Sequence, residues 1–213
     1  NILLDEIGLT ERTEDGVRKM SDGRPIVITV DTAGESTEQS DVLELIHDTW
    51  IKVGIKLFTK PAQREVFRQR ISAGQTVMSV WSGISNGIPT AAMSPDELVP
   101  SRKDQFQWPK WGQYVQTSGR SGEEPTLPAA LRLMQLGEAW PKTSDPAEQL
   151  RIWHEILQIN TAQVFSIGIV NTTLQPVVIN NRLRNVPEKG FYNWNPGAYF
   201  GVYKPDTFWY ASN

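Results

Sequence analysis

The chain has 213 residues, a net charge of −3 and no cysteine, so it is long enough for a real core but lacks disulfides, thiolate nucleophiles and cysteine-ligated metal. Its basic residues are spread out, leaving no electrostatic footprint for nucleic acid, and no apolar run approaches the ~20 residues needed to span a bilayer. It opens at Asn1 in what reads as the middle of a helix, Ile2-Leu-Leu-Asp-Glu-Ile-Gly8. The expectation is therefore a piece of a longer protein, in which a missing signal peptide says nothing about compartment.

Residues 1–24 read as a helix end and a polar link with turns at Asp15-Gly16 and Asp22-Gly23. Pro25-Ile-Val-Ile-Thr-Val-Asp31 is short, β-branched and bounded by turn residues, as a buried strand would be. Ser36-Thr-Glu-Gln39 has capping-box spacing and predicts a helix carrying Val42, Leu45, Ile46, Trp50 and Val53 on one face. Gly54 stands where a C-terminal cap belongs, and Ile55-Lys-Leu-Phe-Thr59 reads as the second strand. A second helix is expected over about Ala62–Ala73, ending at Gly74, and a third strand over Thr76–Trp81. Strands joined through helices run parallel, and in such sheets ligands sit beyond the carboxyl ends of the strands. That rule points at Asp31–Gly34, Lys60-Pro61 and Trp81–Asn86.

Residues 84–125 show no sustained period and are rich in Pro, Gly, Ser and Trp, which predicts a long irregular segment that is functional or wrapped over a surface. Helices follow over about Pro128–Ala139 and from Asp145-Pro146 to about Val164, where aspartate caps and proline takes the first turn. Phe165–Val170 and Leu174–Ile179 are apolar, β-prone runs that could extend the sheet, and Arg182–Asn213 is an irregular aromatic tail. The organisation expected is an opening segment at 1–24, an α/β ligand-binding domain at 25–179 and a C-terminal tail at 180–213.

Several groups bear on chemistry. Trp81 ends a central strand before the small residues Ser82 and Gly83, where it presents an apolar face to a sugar, a peptide side chain or a heterocycle, or else plugs the core. Trp108, Trp111 and Tyr114 form either a stacking surface over a cleft or a set of anchors for an irregular loop, the second being preferred. Gly119-Arg-Ser-Gly122 lacks the Gly-Lys-Ser/Thr ending of a phosphate loop, and Asn171-Thr-Thr173 matches the glycosylation triplet only weakly. The two histidines, His47 and His154, each fall inside a predicted amphipathic helix, far apart in sequence. No metal site, cofactor site, nucleophile elbow or paired-carboxylate set is legible. The pattern is that of a binding protein rather than an enzyme, with a hydrolase or transferase on an α/β scaffold, or a structural interaction module, as the competing classes.

The order of these pieces resembles the C-terminal half of the family 5 extracellular solute-binding proteins, the binding components of ABC importers for peptides, nickel, opines and some oligosaccharides. The landmarks are Leu3-Leu-Asp-Glu-Ile-Gly-Leu9, Asp15-Gly-Val-Arg18, Asp22-Gly-Arg-Pro-Ile26, Trp50-Ile-Lys-Val-Gly-Ile55 and Ala147-Glu-Gln-Leu-Arg151. The resemblance implies a periplasmic-binding-protein-like lobe II with a βαβαβ parallel core, closing on its solute by hinge motion against an absent lobe I and docking on a membrane permease. It implies a periplasmic location, or an extracellular, lipid-anchored one in a Gram-positive source. Peptide-binding members carry, three residues after the tryptophan matched by Trp81, an aspartate that pairs with the peptide amino terminus; Ile84 stands there instead. The expected ligand is thus a small solute, a neutral oligosaccharide in preference to a peptide, contacted by Trp81, Ser82, Gly83, Ile84, Ser85 and Asn86, with Trp108, Trp111 and Tyr114 adding stacking surface if they reach the cleft.

Overall fold

A computed structural model describes residues 1–83, 93–169, 174, 176–190 and 203–211. The chain packs as two compact units, Asn1–Trp81 and Ser82–Asn213, a boundary the sequence reading did not draw.

The first unit is built on a parallel sheet of order β2-β1-β3, with β1 at Val27–Thr32, β2 at Lys56–Pro61 and β3 at Met78–Ser79. The register pairs Asp31 with Lys60 on one side and with Ser79 on the other. Helix α1 (Ile2–Glu6) opens the chain, α2 (Thr37–Trp50) joins β1 to β2, and α3 (Arg64–Ser72) joins β2 to β3. The Ser36 hydroxyl accepts from the Gln39 amide at 3.2 Å and starts α2, as its spacing predicted. The buried stripe of α2 differs from the expected one. Leu43 is buried, Ile46 and Trp50 pack beside it, and Leu45 is 68% exposed. At 100° per residue, Leu43, Ile46 and Trp50 share a face that Leu45 lies far around from. That face meets Ile28, Val30, Leu57, Met78 and Val80, which alternation turns to one side of the sheet. Asp31, Phe58 and Ser79 belong to the opposite side, where α3 lies.

The link ahead of β1 is held by Arg18, which is 2% exposed. Its guanidinium donates to Asp5 Oδ1 at 2.5 Å, to Asn1 Oδ1 and to the Val53 carbonyl, each at 2.8 Å, and to the Leu9 carbonyl. A buried cation needs such a set of acceptors to offset its lost hydration. Gly54, with φ of +88°, follows the 3-10 turn Ile51–Val53 and lies against this cation; a Cβ there would stand 2.6 Å from Arg18 Cγ.

The second unit is mainly helical: α4 (Pro109–Gln116), α5 (Pro128–Ala139) and α6 (Pro146–Gln163), with a two-residue antiparallel pair, β4 (Leu183–Arg184) and β5 (Trp209–Tyr210). Helix α4 falls within the segment expected to be irregular. Proline at its first position satisfies the helix start, and Gly112 inside it lets the Arg102 carbonyl approach to where a Cβ would otherwise sit. The core gathers Leu98, Val99, Leu133, Leu136, Ile152, Trp153 and Ile156. The Trp153 indole donates to the Met93 carbonyl at 3.0 Å, and Asp145 caps α6 by accepting from the Ala147 amide. Between α5 and α6, Arg132 grips Glu155 with two nitrogens, at 2.5 and 2.9 Å.

Phe165–Val170 and Leu174–Ile179 are the β-prone runs that could extend the sheet. Among the described residues of these runs none is in a strand, and Ile167, Ile169, Leu174, Val177 and Val178 are all exposed. β-branched composition favours a strand only where a neighbouring strand and a covered face exist for it.

Candidate functional site

The carboxyl ends of the three strands bring Asp31–Gly34, Lys60-Pro61 and Val80-Trp81 to one edge of the sheet in the first unit. The edge is tightly tied. Val80 donates to the Asp31 carbonyl at 3.1 Å, Ala62 to the Thr32 carbonyl at 3.0 Å, and Gly34 to the Thr32 hydroxyl at 3.2 Å. Asp31 is 3% exposed and meets Arg70 of α3 at 2.7 Å. The contact is charge on charge, since no aligned hydrogen bond reaches that oxygen. The pair neutralises a carboxylate that burial would otherwise penalise.

Trp81 is half-buried at this edge. Its ring stacks on Phe67 with centroids 5.7 Å apart and planes inclined by 30°. The guanidinium of Arg64 lies 5.5 Å from its centroid and that of Arg68 5.4 Å. Arg64, Phe67 and Arg68 are i, i+3 and i+4 on α3, so they form one ledge, and the indole rests flat against it. Glu35, in the turn after β1, holds Arg64 through its Nε, at 2.8 and 3.0 Å to the two carboxylate oxygens, and through Nη2. This hydrogen-bonded pairing, more than its Coulomb attraction, keeps the Glu35 carboxyl below its ordinary range, and Arg68 adds a smaller pull. Phe67 is fully buried and fixes the ledge to the unit.

Ser82 and Gly83 are exposed beyond Trp81. Ile84, Ser85 and Asn86 lie outside the described residues, as does Asn171-Thr-Thr173. Trp108, Trp111 and Tyr114 belong to the second unit. Trp108 is 3% exposed and meets Phe165 edge-on at 5.2 Å; Trp111, half-buried, meets the same ring at 6.3 Å. Tyr114 is half-buried with the turn at Gly119 against its ring, and Gly122 lies so close to α4 that a Cβ would stand 2.5 Å from the Lys110 carbonyl oxygen. Trp108 therefore works as a packing anchor, and Gly119–Gly122 is a turn folded onto α4. His47 on α2 is half-buried beside Asp48, and His154 on α6 is exposed. Among the described residues no group of three histidines or carboxylates could hold a metal ion, and no helix is long and apolar enough to cross a membrane. A shallow depression of about 420 Å³ in the second unit is lined by His154, Leu157, Gln158, Thr161 and Ala162, all of one helix.

Sequence reasoning located the edge and Trp81 but missed Glu35, Arg64, Phe67 and Arg68. The usable signal was the i, i+3, i+4 spacing on a helix whose first turn directly follows the end of β2.

The chain is similar in structure to an oligopeptide-binding protein, OppA, with a TM-score of 0.67 and 27% identity, over 87% of this chain and 31% of that one. It also resembles the periplasmic binding protein MelB of Agrobacterium fabrum, solved in complex with stachyose, at a TM-score of 0.57 and 17% identity, over 78% of this chain and 24% of that one. A third is a periplasmic oligopeptide-binding protein of an oligopeptide ABC transporter of Thermotoga maritima, solved with mannohexaose bound, at 0.54 and 16%, over 77% of this chain and 28% of that one. These neighbours are solute-binding proteins of the periplasmic-binding type and share the α/β class with a parallel sheet expected from the sequence. The chain spans less than a third of their length. No protein-family model and no curated protein matches it.

Proposed function

We propose that the chain is the ligand-binding lobe II part of the solute-binding component of a bacterial ABC importer, working by capture rather than catalysis. In this reading the first unit offers one wall of a cleft, a second lobe closes the other, and the closed protein delivers its solute to a membrane permease from the periplasm or the outer face of the cell. Residues 25–179 form the ligand-binding domain, and 180–213 return towards lobe I. The observation that carries the reading is Trp81. It stands just past β3 at the carboxyl ends of the strands, half-buried and packed with Phe67, Arg64 and Arg68, where a rigidly held indole suits a sugar ring. Two of the similar proteins hold oligosaccharides, stachyose and mannohexaose. A neutral oligosaccharide is the solute this reading favours, with Ser82, Ser85 and Asn86 as hydrogen-bonding partners. The second reading, an oligopeptide, is favoured by the 27% identity to an oligopeptide-binding protein.

The test is a thermal-shift screen of the full-length protein against stachyose, mannohexaose and short peptides. A ligand at 100 times its Kd stabilises the native state by about 2.7 kcal/mol, which raises the melting point measurably. A shift with saccharides alone supports the first reading, and a shift with peptides alone the second. Trp81→Ala is expected to weaken binding about tenfold or more while leaving the unliganded melting point within a few degrees, since a stacked aromatic pair contributes about 0.5–1.5 kcal/mol beyond its burial. Unchanged affinity would remove Trp81 from the site.

A further inference from the structure

The two Asp-Gly turns ahead of β1 are a matched pair. Thr13 donates to the Val17 carbonyl at 2.7 Å and Gly16 to the Thr13 carbonyl at 2.9 Å; Met20 donates to the Arg24 carbonyl at 2.8 Å and Gly23 to the Met20 carbonyl at 2.9 Å. Both glycines have φ of +82°, and the bridges Arg12 to Arg18 and Lys19 to Pro25 lie beside the turns. Each is a short hairpin loop ending in a left-handed glycine, a common connection. The aspartates differ. Asp22 Oδ1 accepts from the Arg24 amide at 3.0 Å and Oδ2 from Arg24 Nε at 2.7 Å, with Nη2 also at 2.7 Å. The side-chain bond from Arg24 first, and then the bond from its amide, keep the Asp22 carboxyl below its ordinary range. Asp15 is exposed, Val17 occupies the place that Arg24 takes in the other turn, and among the described residues no hydrogen bond or ion pair reaches the Asp15 carboxylate.

We propose that Asp15-Gly16 is a site of spontaneous covalent modification, aspartate to isoaspartate, from which Asp22-Gly23 is protected in the same turn by Arg24. The Gly16 amide nitrogen gives up its proton and attacks the side-chain carboxyl carbon of Asp15. A C–N bond forms and closes a five-membered succinimide, while the carboxyl hydroxyl leaves with that proton as water. Water then adds to one ring carbonyl and breaks its bond to nitrogen. Opening at the side-chain carbonyl restores aspartate; opening at the main-chain carbonyl leaves the chain running through the side chain, as isoaspartate. The water lost is regained, so mass is unchanged and no oxidant or further reactant is needed. Glycine favours the attack because no Cβ crowds its nitrogen, and both turns supply that. The carboxyl must also be free to swing and must take its acid form, whose hydroxyl can leave. Only Asp15 meets this condition, because Arg24 holds both oxygens of Asp22 and favours its charged form. Isoaspartate lengthens the main chain inside the turn. That displaces the Gly16 carbonyl, which accepts from Arg12 Nη1 at 2.7 Å, and the Thr13–Val17 bond, beside the buried Arg18. The chemistry is independent of what the protein binds.

The test ages the full-length protein at about 37 °C and pH about 6, where a small fraction of each carboxyl is protonated. Trypsin, cutting after Arg12, Arg18 and Lys19, puts the two sites on different peptides, and chromatography with fragmentation resolves the isomers. Asn86-Gly87, whose deamidation also yields isoaspartate, lies on a third peptide and changes mass. Isoaspartate is expected to accumulate at Asp15 about threefold to fivefold faster than at Asp22, the upper part of what an exposed ion pair supplies. Arg24→Gln should bring the Asp22 rate to within about twofold of the Asp15 rate, which itself stays unchanged. In guanidinium chloride, where the folded contacts are gone, the two rates should converge. No isoaspartate at Asp15, equal rates in the folded protein, or an Asp22 rate indifferent to Arg24→Gln overturns the proposal. The same excess at Asp15 after unfolding also overturns it, by assigning the difference to sequence rather than to the Arg24 contact.

Discussion

Two glycines in the first unit share a backbone conformation and differ in their surroundings, which makes a paired experiment possible. Gly16 and Gly54 have φ of +82° and +88°. A Cβ on Gly16 would meet nothing within 4 Å, whereas one on Gly54 would stand 2.5 Å from Arg12 Nη1 and 2.6 Å from Arg18 Cγ. Alanine at either position carries the left-handed backbone penalty, roughly 1–2 kcal/mol. At Gly54 a second cost is added. The Arg12 end is flexible and can swing away, but Arg18 Cγ is the stem of a side chain 2% exposed, with its guanidinium fixed by Asp5, Asn1, Leu9 and Val53. Moving that stem lengthens or breaks some of these charge-assisted bonds, each worth about 1.5–3 kcal/mol. Gly16→Ala is therefore expected to lose about 1–2 kcal/mol and Gly54→Ala about 3–4 kcal/mol. Urea unfolding with a fluorescence readout measures both, with the slope m checked for constancy. Losses equal within about 0.5 kcal/mol would refute the argument, because they would show that Arg18 yields freely and its network contributes little to holding the link.

Three further outcomes are expected. Arg70→Met leaves the Asp31 carboxylate buried and uncompensated and should cost about 3–5 kcal/mol in urea unfolding, with Asp31→Asn on the same background recovering part of it. In the second unit, Leu133 is fully buried, so Leu133→Ala should cost about 2–5 kcal/mol by calorimetry or denaturant titration. Hydrogen bonds from Arg132 chiefly, and from Arg151, hold the Glu155 carboxyl below its ordinary value of 4.5. A depressed carboxyl contributes its stability above the unfolded value and loses it as pH falls through the folded one. The urea midpoint should therefore decline below about pH 4.5, and Glu155→Gln should flatten that part of the profile.

What was legible in the sequence was whatever rests on local chemistry. Ser36 and Asp145 accept from amides three and two residues on respectively, Gly54 adopts the left-handed cap, and the β-branched run at 27–32 pairs as a parallel strand. The caps depend on neighbours a few residues away, and the strand shows in its own β-branched composition even though its partner, β2, lies 29 residues on. Helix α4 was missed because Gly112 and two tryptophans blur its period, although Pro109 directly after Trp108 marks a helix start. Trp108 itself reads identically in sequence whether it is buried or exposed, since only contact with Phe165 decides between them. The runs around 165–179 differ in the opposite sense: their composition suits a strand, yet none of their described residues is in one. The ledge under Trp81 depends on residues 13 to 17 positions upstream, reached through a helix and a strand, and no local pattern announces that meeting.

The ledge also changes the thermodynamics of any encounter at the sheet edge. Fixing a rotamer-rich side chain when a complex forms typically costs about 0.5–1.5 kcal/mol. Trp81 already lies against Phe67, Arg64 and Arg68, and Arg64 is itself clamped by Glu35, so that ordering happens during folding. Any contact made with the indole therefore meets a ring that no longer has to be frozen. The enthalpy of such a contact then passes into affinity with little entropic loss from the indole.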